Sequence, residues 1–443
     1  VPASYQQARH LRGFCEYAAR GLEMSRLFIA AWHIGGRCDI RAMTYVINAH
    51  LRRHDTYRSW FEYQDPEHIV RRTIREPADI EFVPTEHRAM TPEEWRGHIL
   101  ATPDPLRWDC FRFGIIQRSD HFIFFVSIDH LHMDAQFSVV VLTEIHMLYS
   151  ALAGGGAPIR MPDPGSYDDY CIRQHRYASD LTLESPEVLA WIEFAKNLPQ
   201  FPLPLGDASV PCAGDVMTVQ LMDERQTARF ESACAVAGAR FSGGVFACAA
   251  LAEHELTGVE TYYGITLADT RSTPAEFMTM GWFVGLIPIT VPVAATSFGD
   301  TARAAQASFD SGKYLANVPV DRVLELVPPE LRPMGPQAQP GIPILSYLDT
   351  GLGPLSATSL SPFDGMNAGI YTDGRIRAQL DIRVLRLEKK TVITVAFPNN
   401  PVTRESVTQY IATIKSVYAT VSSAVLTSTA TEVRVPAETK VMG

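Results

Sequence analysis

Residues 121–137, HFIFFVSIDHLHMDAQF, constrain the fold more than any other stretch of the chain. Phe122 to Ile128 is β-branched or aromatic apart from Ser127, the composition of a strand buried on both faces. Asp129, His130, His132 and Asp134 follow in an abrupt cluster, and Val139, Val140, Leu142 and Ile145 then begin a helical period. A buried strand, a tight polar turn and a helix are expected. A histidine on such a turn can keep one tautomer and present a ring nitrogen as a general base, and a carboxylate four positions on is close enough to order the turn. The same spacing also describes a core histidine beside a helix-capping aspartate, and at this level both readings stand.

With 443 residues the chain exceeds what one core usually supports, so two domains of roughly 200 residues each are expected. Its 46% hydrophobic and 20% charged residues place it among ordinary globular proteins. The longest apolar runs, Trp282 to Pro288 and Val245 to Leu251, fall well short of the roughly 20 residues a membrane-spanning helix needs. The chain opens on Val1, which leaves export open, and the cytoplasm is the expected compartment. A net charge of −10, with basic residues in nothing longer than pairs such as Arg52–Arg53 and Arg71–Arg72, argues against nucleic acid as a partner. Seven cysteines without CxxC spacing fit reduced thiols. His130 and His132 could join Asp134 on a metal, but two ring nitrogens two residues apart in a short loop are a weak signal, and no metal is expected. P-loop, GxGxxG and GxSxG motifs are absent, which sets aside the usual nucleotide folds and the α/β-hydrolase elbow.

Periodicity divides the chain into two halves of similar texture. Helices are expected at 4–20 and 39–51, the second capped by Asp39, with a strand at 26–34 between them. Residues 197–214 hold four prolines and two glycines and read as an interdomain crossing. Strands are then expected at 215–222, 261–267, 283–291 and 344–348, with more ending near Phe397, and helices at 224–237, 244–256, 301–314, 320–326 and 402–425. The expected architecture is α/β: an N-terminal domain at 1–196, the crossing at 197–214, a C-terminal domain at 215–426, each a mixed sheet with flanking helices, and a polar, disordered tail at 427–443.

SIDHLHMDA resembles the HHxxxDG motif of the chloramphenicol-acetyltransferase-like superfamily, which includes nonribosomal peptide condensation domains and plant BAHD acyltransferases. RRHDTYRSWF, residues 52–61, is similar to the early RHxxLRxxF block of condensation domains, and residues 264–290 to their later block of an arginine followed by GxFxNxxP. MSRLFIAAW, ARFSGGVFACAALAEHELTG, GWFVGLIPITVPVA and SYLDTGLGPLS look like the mycobacterial polyketide-associated (Pap) acyltransferases, above all those that acylate trehalose. The resemblance covers nearly the whole chain.

It implies two acetyltransferase-like domains meeting along a tunnel, and transfer of a long-chain acyl group from a coenzyme A thioester to a trehalose hydroxyl in glycolipid assembly. His130 falls on the motif's catalytic histidine. Asp134 falls on its aspartate, which in the superfamily pairs with an arginine of the later block, here Arg271. Coenzyme A would be carrier and product, no metal would be needed, and transient contact with a polyketide synthase or the inner face of the plasma membrane is implied. Asp129 replaces the motif's first histidine and could orient His130 or cap the next turn, and Ala135 replaces its glycine. His132, Trp282, Phe283 and Ser346 are candidates for substrate or tunnel contact, each with a plain structural role as the alternative. Two other functions stay open: a condensation-like O-acyltransferase that takes a carrier-bound or synthase-bound chain to a polyketide or other alcohol, and a carrier-docking scaffold with a degenerate site.

Overall fold

The computed structural model describes the chain except for residues 137–139, 158, 208–209, 294–296, 329–341, 350–368, 378 and 432–443. The first helix runs Tyr5–Ala19, its start fixed by a capping box between Ser4 and Gln7. β1 (Leu27–Gly35) follows, and then helix Ile40–Arg53, whose N-cap Asp39 accepts from the amides of Arg41 and Ala42. β2 (Ser59–Asp65) and β3 (His68–Thr73) make a separate hairpin. β4 (Phe111–Gln117) and β5 (His121–Asp129) supply the rest of this half's strands.

β5 is the strand expected around Phe122–Ile128, and it lies between β1 and β4, antiparallel to both. Phe122, Phe124, Val126 and Ile128 pack with Val46, Ile47, Leu51, Val140 and Ile145 in one core. Each side chain buried this way contributes about 1.5–3 kcal/mol. The end of β5 is therefore a rigid platform for whatever the next residues carry.

The second half contains β6 (Gly214–Asp223), β7 (Thr261–Asp269), β8 (Val284–Pro292), β9 (Ile344–Asp349), β10 (Gly369–Thr372), β11 (Asp381–Leu387) and β12 (Lys390–Pro398). Six of them form a sheet in the order β6-β12-β11-β9-β7-β8, with β9 parallel to both β11 and β7 and the remaining pairs antiparallel. Helices Glu224–Val236, Phe241–Thr257, Phe298–Gly312 and Pro401–Thr431 contribute to its core. In the last of these, Val407, Tyr410, Ile411, Ile414, Val417, Tyr418 and Val421 are buried at the spacing of one helix face. The tail from 432 onward lies outside the described residues.

β10 crosses the division that the proline-rich stretch suggests. It pairs antiparallel with β1, Tyr371 opposite Ile29, and so completes the N-terminal sheet from the C-terminal half of the sequence. Asp373, just past it, accepts from Ser25 Oγ at 2.8 Å and from the amides of Arg26 at 2.8 Å and Leu27 at 2.9 Å. No single described helix is long and apolar enough to cross a membrane. The helix pair Glu224–Val236 and Phe241–Thr257, which passes on length and composition, is bent by 94° and supplies much of the C-terminal core.

Candidate active site

β5 ends on Asp129, and a single 3₁₀ turn, His130–His132, follows. Asp129 caps that turn by accepting from the Leu131 amide at 3.2 Å, while the His130 amide donates to the Arg26 carbonyl at 3.0 Å. The carboxylate of Asp129 is fully buried, with Arg26 Nη1 at 2.9 Å on one oxygen and His10 Nε2 at 2.8 Å on the other. Burial alone would raise its pKa, but His10 and Arg26 outweigh it and hold the carboxyl at about 2. Asp129 is thus a capping residue and the anchor of a charge cluster at the base of the turn.

The imidazole of His130 is half-buried and faces Trp282, with ring centroids 4.2 Å apart. Nδ1 is sealed from solvent without a hydrogen-bond partner, which leaves Nε2 as the nitrogen able to meet a substrate. Burial, reinforced by His10 nearby, lowers the His130 pKa to about 4. The ring is therefore neutral at physiological pH, with a lone pair available for proton abstraction.

Asp134 turns into a separate buried network. Arg271 Nη1 lies 2.8 Å from Oδ2 and Nη2 3.2 Å from Oδ1, and the carboxylate also accepts from the amides of Phe283 at 2.9 Å and Gln136 at 2.9 Å. Burial pushes the Asp134 carboxyl upward and Arg271 opposes that push. Arg271 is held in turn by the carbonyls of Glu276 at 2.8 Å and Thr279 at 3.0 Å, and its guanidinium lies over the Phe283 ring at 4.3 Å. The pair fastens the turn after β5 to the segment that leads into β8.

That segment places Trp282 and Phe283 on different duties. Trp282 stands at His130, whereas Phe283 is fully buried against Tyr167 and Tyr170 beneath Arg271. Gly281 makes the bend between them and the loop before: its φ is +154°, and a Cβ there would sit 2.3 Å from Tyr167 Cδ2.

His132 and Ser346 have no such position. His132 is buried, Nδ1 meets Thr56 Oγ1 at 2.9 Å and Nε2 meets Cys110 Sγ at 3.1 Å, so neither ring nitrogen is left for a substrate. Burial lowers its pKa to about 4 and keeps it neutral. Ser346 is buried within β9, its hydroxyl 3.5 Å from the Ile382 carbonyl of the neighbouring strand. The candidates for substrate contact narrow to Trp282, with Asp129 and Phe283 as supports of the turn.

Residues that local pattern does not single out complete the surroundings. His10 and Gln7 come from the first helix, Gln7 Nε2 donating to the Leu131 carbonyl at 3.0 Å. Deeper in, His50 Nδ1 and His54 Nε2 meet one oxygen of Glu144 at 2.8 and 3.0 Å, and Arg53 Nε meets the other at 2.9 Å. Their donor atoms lie within 4.8 Å of one another, close enough for a cation. The proton pattern does not suit one: His54 Nδ1 accepts from the Met280 amide at 3.3 Å, so Nε2 carries the hydrogen that faces Glu144. This cluster holds the 279–283 segment from the N-terminal side, as Arg271 and Asp134 do from the other.

Comparison with known proteins shows the family of the chain. The condensation-domain family model matches residues 27–330. Acyltransferase PapA3 of Mycobacterium tuberculosis is 56% identical over 94% of this chain and 88% of its own length. The 2'-acyl-2-O-sulfo-trehalose (hydroxy)phthioceranyltransferase PapA1 of the same species is 57% identical, covering 94% of this chain and 81% of that protein. A solved structure of PapA2 acyl transferase superposes with a TM-score of 0.91 at 56% identity, over 95% of this chain and 92% of the other. The chain therefore belongs to the condensation-domain family, within its Pap acyltransferase branch, and is an acyltransferase.

Proposed function

We propose that the protein moves a long-chain acyl group from a coenzyme A thioester to a hydroxyl of trehalose, or of a sulfated trehalose, in glycolipid assembly. The observation that carries the reading is His130: a neutral imidazole on a rigid turn, with Nε2 free and Trp282 against its ring. The relatives named for sulfo-trehalose acylation supply the acceptor.

A sugar hydroxyl is a poor nucleophile near neutral pH. His130 Nε2 takes its proton as the oxygen attacks the thioester carbonyl. The new C–O bond forms, the C–S bond breaks, and the departing thiolate receives the proton from the imidazolium or from solvent. No acyl-enzyme is needed. Asp134 and Arg271 act by keeping the turn in place. Acyl thioesters are cytoplasmic metabolites, so this reading puts the enzyme in the cytoplasm. Its lipid product would pass to the inner face of the membrane, and a synthase could dock transiently to deliver a chain.

Incubation of the purified protein with a C16 acyl-coenzyme A and either trehalose or trehalose 2-sulfate, with mass detection, tests the proposal. Acylated disaccharide is the expected product. Acylation confined to other alcohols, or no turnover of any thioester, would overturn it.

A further inference from the structure

A cavity at the end of the first helix is lined by a cation that the protein does not pair. Its volume is about 60 Å³, and it lies where three parts of the chain meet: Tyr17 and Arg20 from the helix and its cap, Cys212 from the proline-rich crossing, and Ile376 and Arg377 from the segment before β11. The side chain of Arg377 runs over Gly214, where an added Cβ would meet its Cβ at 3.3 Å and its Nε at 3.7 Å. Its amide is fixed by the Cys212 carbonyl at 3.2 Å. No described residue gives its guanidinium a hydrogen bond or an ion pair. Burial pushes its pKa down, and the acids that act on it are engaged elsewhere: Asp373 accepts from Ser25, Arg26 and Leu27, and Asp381 pairs with Arg383. A guanidinium keeps its charge, so leaving it enclosed without a counterion costs folding free energy. Its fork of N–H donors fits the oxygens of a phosphate or sulfate.

Arg20, 6.0 Å from the Tyr17 ring centroid, likewise has no ion pair among the described residues. Asp207 is the one acid among the described lining residues and has an interaction of its own, so two arginines against one aspartate leave the cavity net cationic. The cavity is also tied to the chemistry through the backbone. The Ile376 amide donates to the Glu23 carbonyl at 3.0 Å, and its carbonyl accepts from the Ser25 amide at 2.9 Å. The carbonyl of the next residue, Arg26, is the one that receives the His130 amide. Arg383 stands near enough to both Arg377 and His130 for its charge to act on each.

We propose that this cavity is an oxyanion subsite of the transfer reaction: Arg377, assisted by Arg20, binds a phosphate or sulfate ester group that a substrate carries at a distance from its reacting atoms. The source of that group rests on the reading above, which offers a phosphate of coenzyme A or the sulfate of a sulfated trehalose. A group remote from the bonds that form and break is held alike before and during the reaction, so the contact belongs to KM rather than to kcat.

The test sets Arg377→Gln, Arg377→Lys and Arg20→Gln beside wild type, with acyl-coenzyme A against the matching acyl-pantetheine and trehalose 2-sulfate against trehalose. Arg377→Gln should raise KM for one charged substrate by roughly tenfold to a hundredfold, the factor that a charge-assisted hydrogen bond supplies, and leave its uncharged counterpart unchanged. Arg377→Lys, which keeps the charge, should recover part of the loss, and Arg20→Gln should show a smaller one. A loss confined to acyl-coenzyme A identifies a donor phosphate, and one confined to trehalose 2-sulfate identifies the acceptor sulfate. Thermal unfolding gives a readout that needs no turnover: coenzyme A or trehalose 2-sulfate should raise the midpoint of wild type and raise that of Arg377→Gln less. Without ligand, Arg377→Gln should be at least as stable as wild type, because its loss strands no charge. Equal effects on charged and uncharged substrates, no midpoint shift in wild type, or a shift undiminished in the variant would overturn the proposal. Coenzyme A that binds through Arg377 in a protein that acylates neither sugar would overturn the trehalose reading and uphold the subsite.

Discussion

Asp134 and Arg271, 137 residues apart in sequence, form a buried ion pair that joins the two halves of the chain beside His130. Both side chains are almost wholly sealed from water, 3% and 2% exposed. Arg271 also meets Asp269 at 3.2 Å and keeps that partner when Asp134 is removed, whereas removing Arg271 leaves Asp134 buried and unpaired, at a cost of about 3–5 kcal/mol. Arg271→Met should therefore lower the unfolding midpoint in urea and activity together, and Asp134→Ala should do the same. A variant with normal stability and lost activity would mean that the carboxylate takes part in the chemistry itself.

His130→Ala gives the opposite pattern. The ring is half-buried with Nδ1 unpartnered, so its loss leaves no stranded charge. Removing a general base costs on the order of 10² to 10⁴ in rate. Steady-state acyl transfer should fall by that factor while circular dichroism and donor binding stay as in wild type. Near-normal turnover would show that His130 is not the base.

The turn that carries these residues is legible in sequence because an apolar strand stops abruptly on four titratable side chains, and strand burial, local period and caps such as Asp39 are all short-range properties. His10 is not legible in the same way. It sits 119 residues from Asp129 on a helix whose own period says nothing of its neighbour. β10 is hidden for a related reason: its pairing with β1 depends on the path of the chain between the halves, which composition does not encode. His132 shows the converse, for two histidines two residues apart look alike in sequence, and only the 3₁₀ turn sends one to Cys110 and the other to Trp282.

The pH dependence follows from the depressed histidines. A base must be unprotonated to work, and burial holds His130 at about 4, so kcat/KM should stay level as pH falls through 6.5 and drop only near 4. An acid limb near 6.5 would mean that the ring is solvated as in a free peptide. Stability should move differently. His132 also stays neutral down to about 4, whereas an unfolded histidine gains its proton near 6.5, so between those values the unfolded state binds more protons and stability falls with falling pH. Glu253, whose carboxyl burial raises to about 7, acts in the opposite sense over the same range, so the part that belongs to His132 is the part lost with its ring: the difference in urea stability between pH 7.5 and 5.5 should change by about 1 kcal/mol in His132→Gln. An unchanged difference in that variant would contradict the neutral, buried His132.

The 279–283 segment should tolerate no side chain at Gly281. Its backbone is in the region that favours glycine, and an added Cβ would strike Tyr167, which is itself fully buried beside Phe283. Gly281→Ala should displace Trp282 from His130 and loosen the Phe283 amide from Asp134, lowering both turnover and thermal midpoint. Tryptophan fluorescence of the variant would report the first change directly. An unaltered spectrum with unaltered activity would mean that the segment moves aside without consequence.

The acyl donor provides the last test, because a long chain must be buried to be preferred. Each methylene moved from water into an apolar site contributes about 0.8 kcal/mol, which is roughly a fourfold gain in affinity per carbon. A site that takes only acetyl would have no such space to offer and would show no gain. If the two halves enclose a channel leading away from His130, transfer from coenzyme A thioesters of C2 to C20 should rise in kcat/KM with each added carbon, reach a limit where the channel ends, and fall beyond it. The rise should appear in KM more than in kcat, since the chain is held alike before and during the reaction. A flat profile, or a preference for acetyl, would rule out the long-chain donor while leaving the assignment of His130 intact.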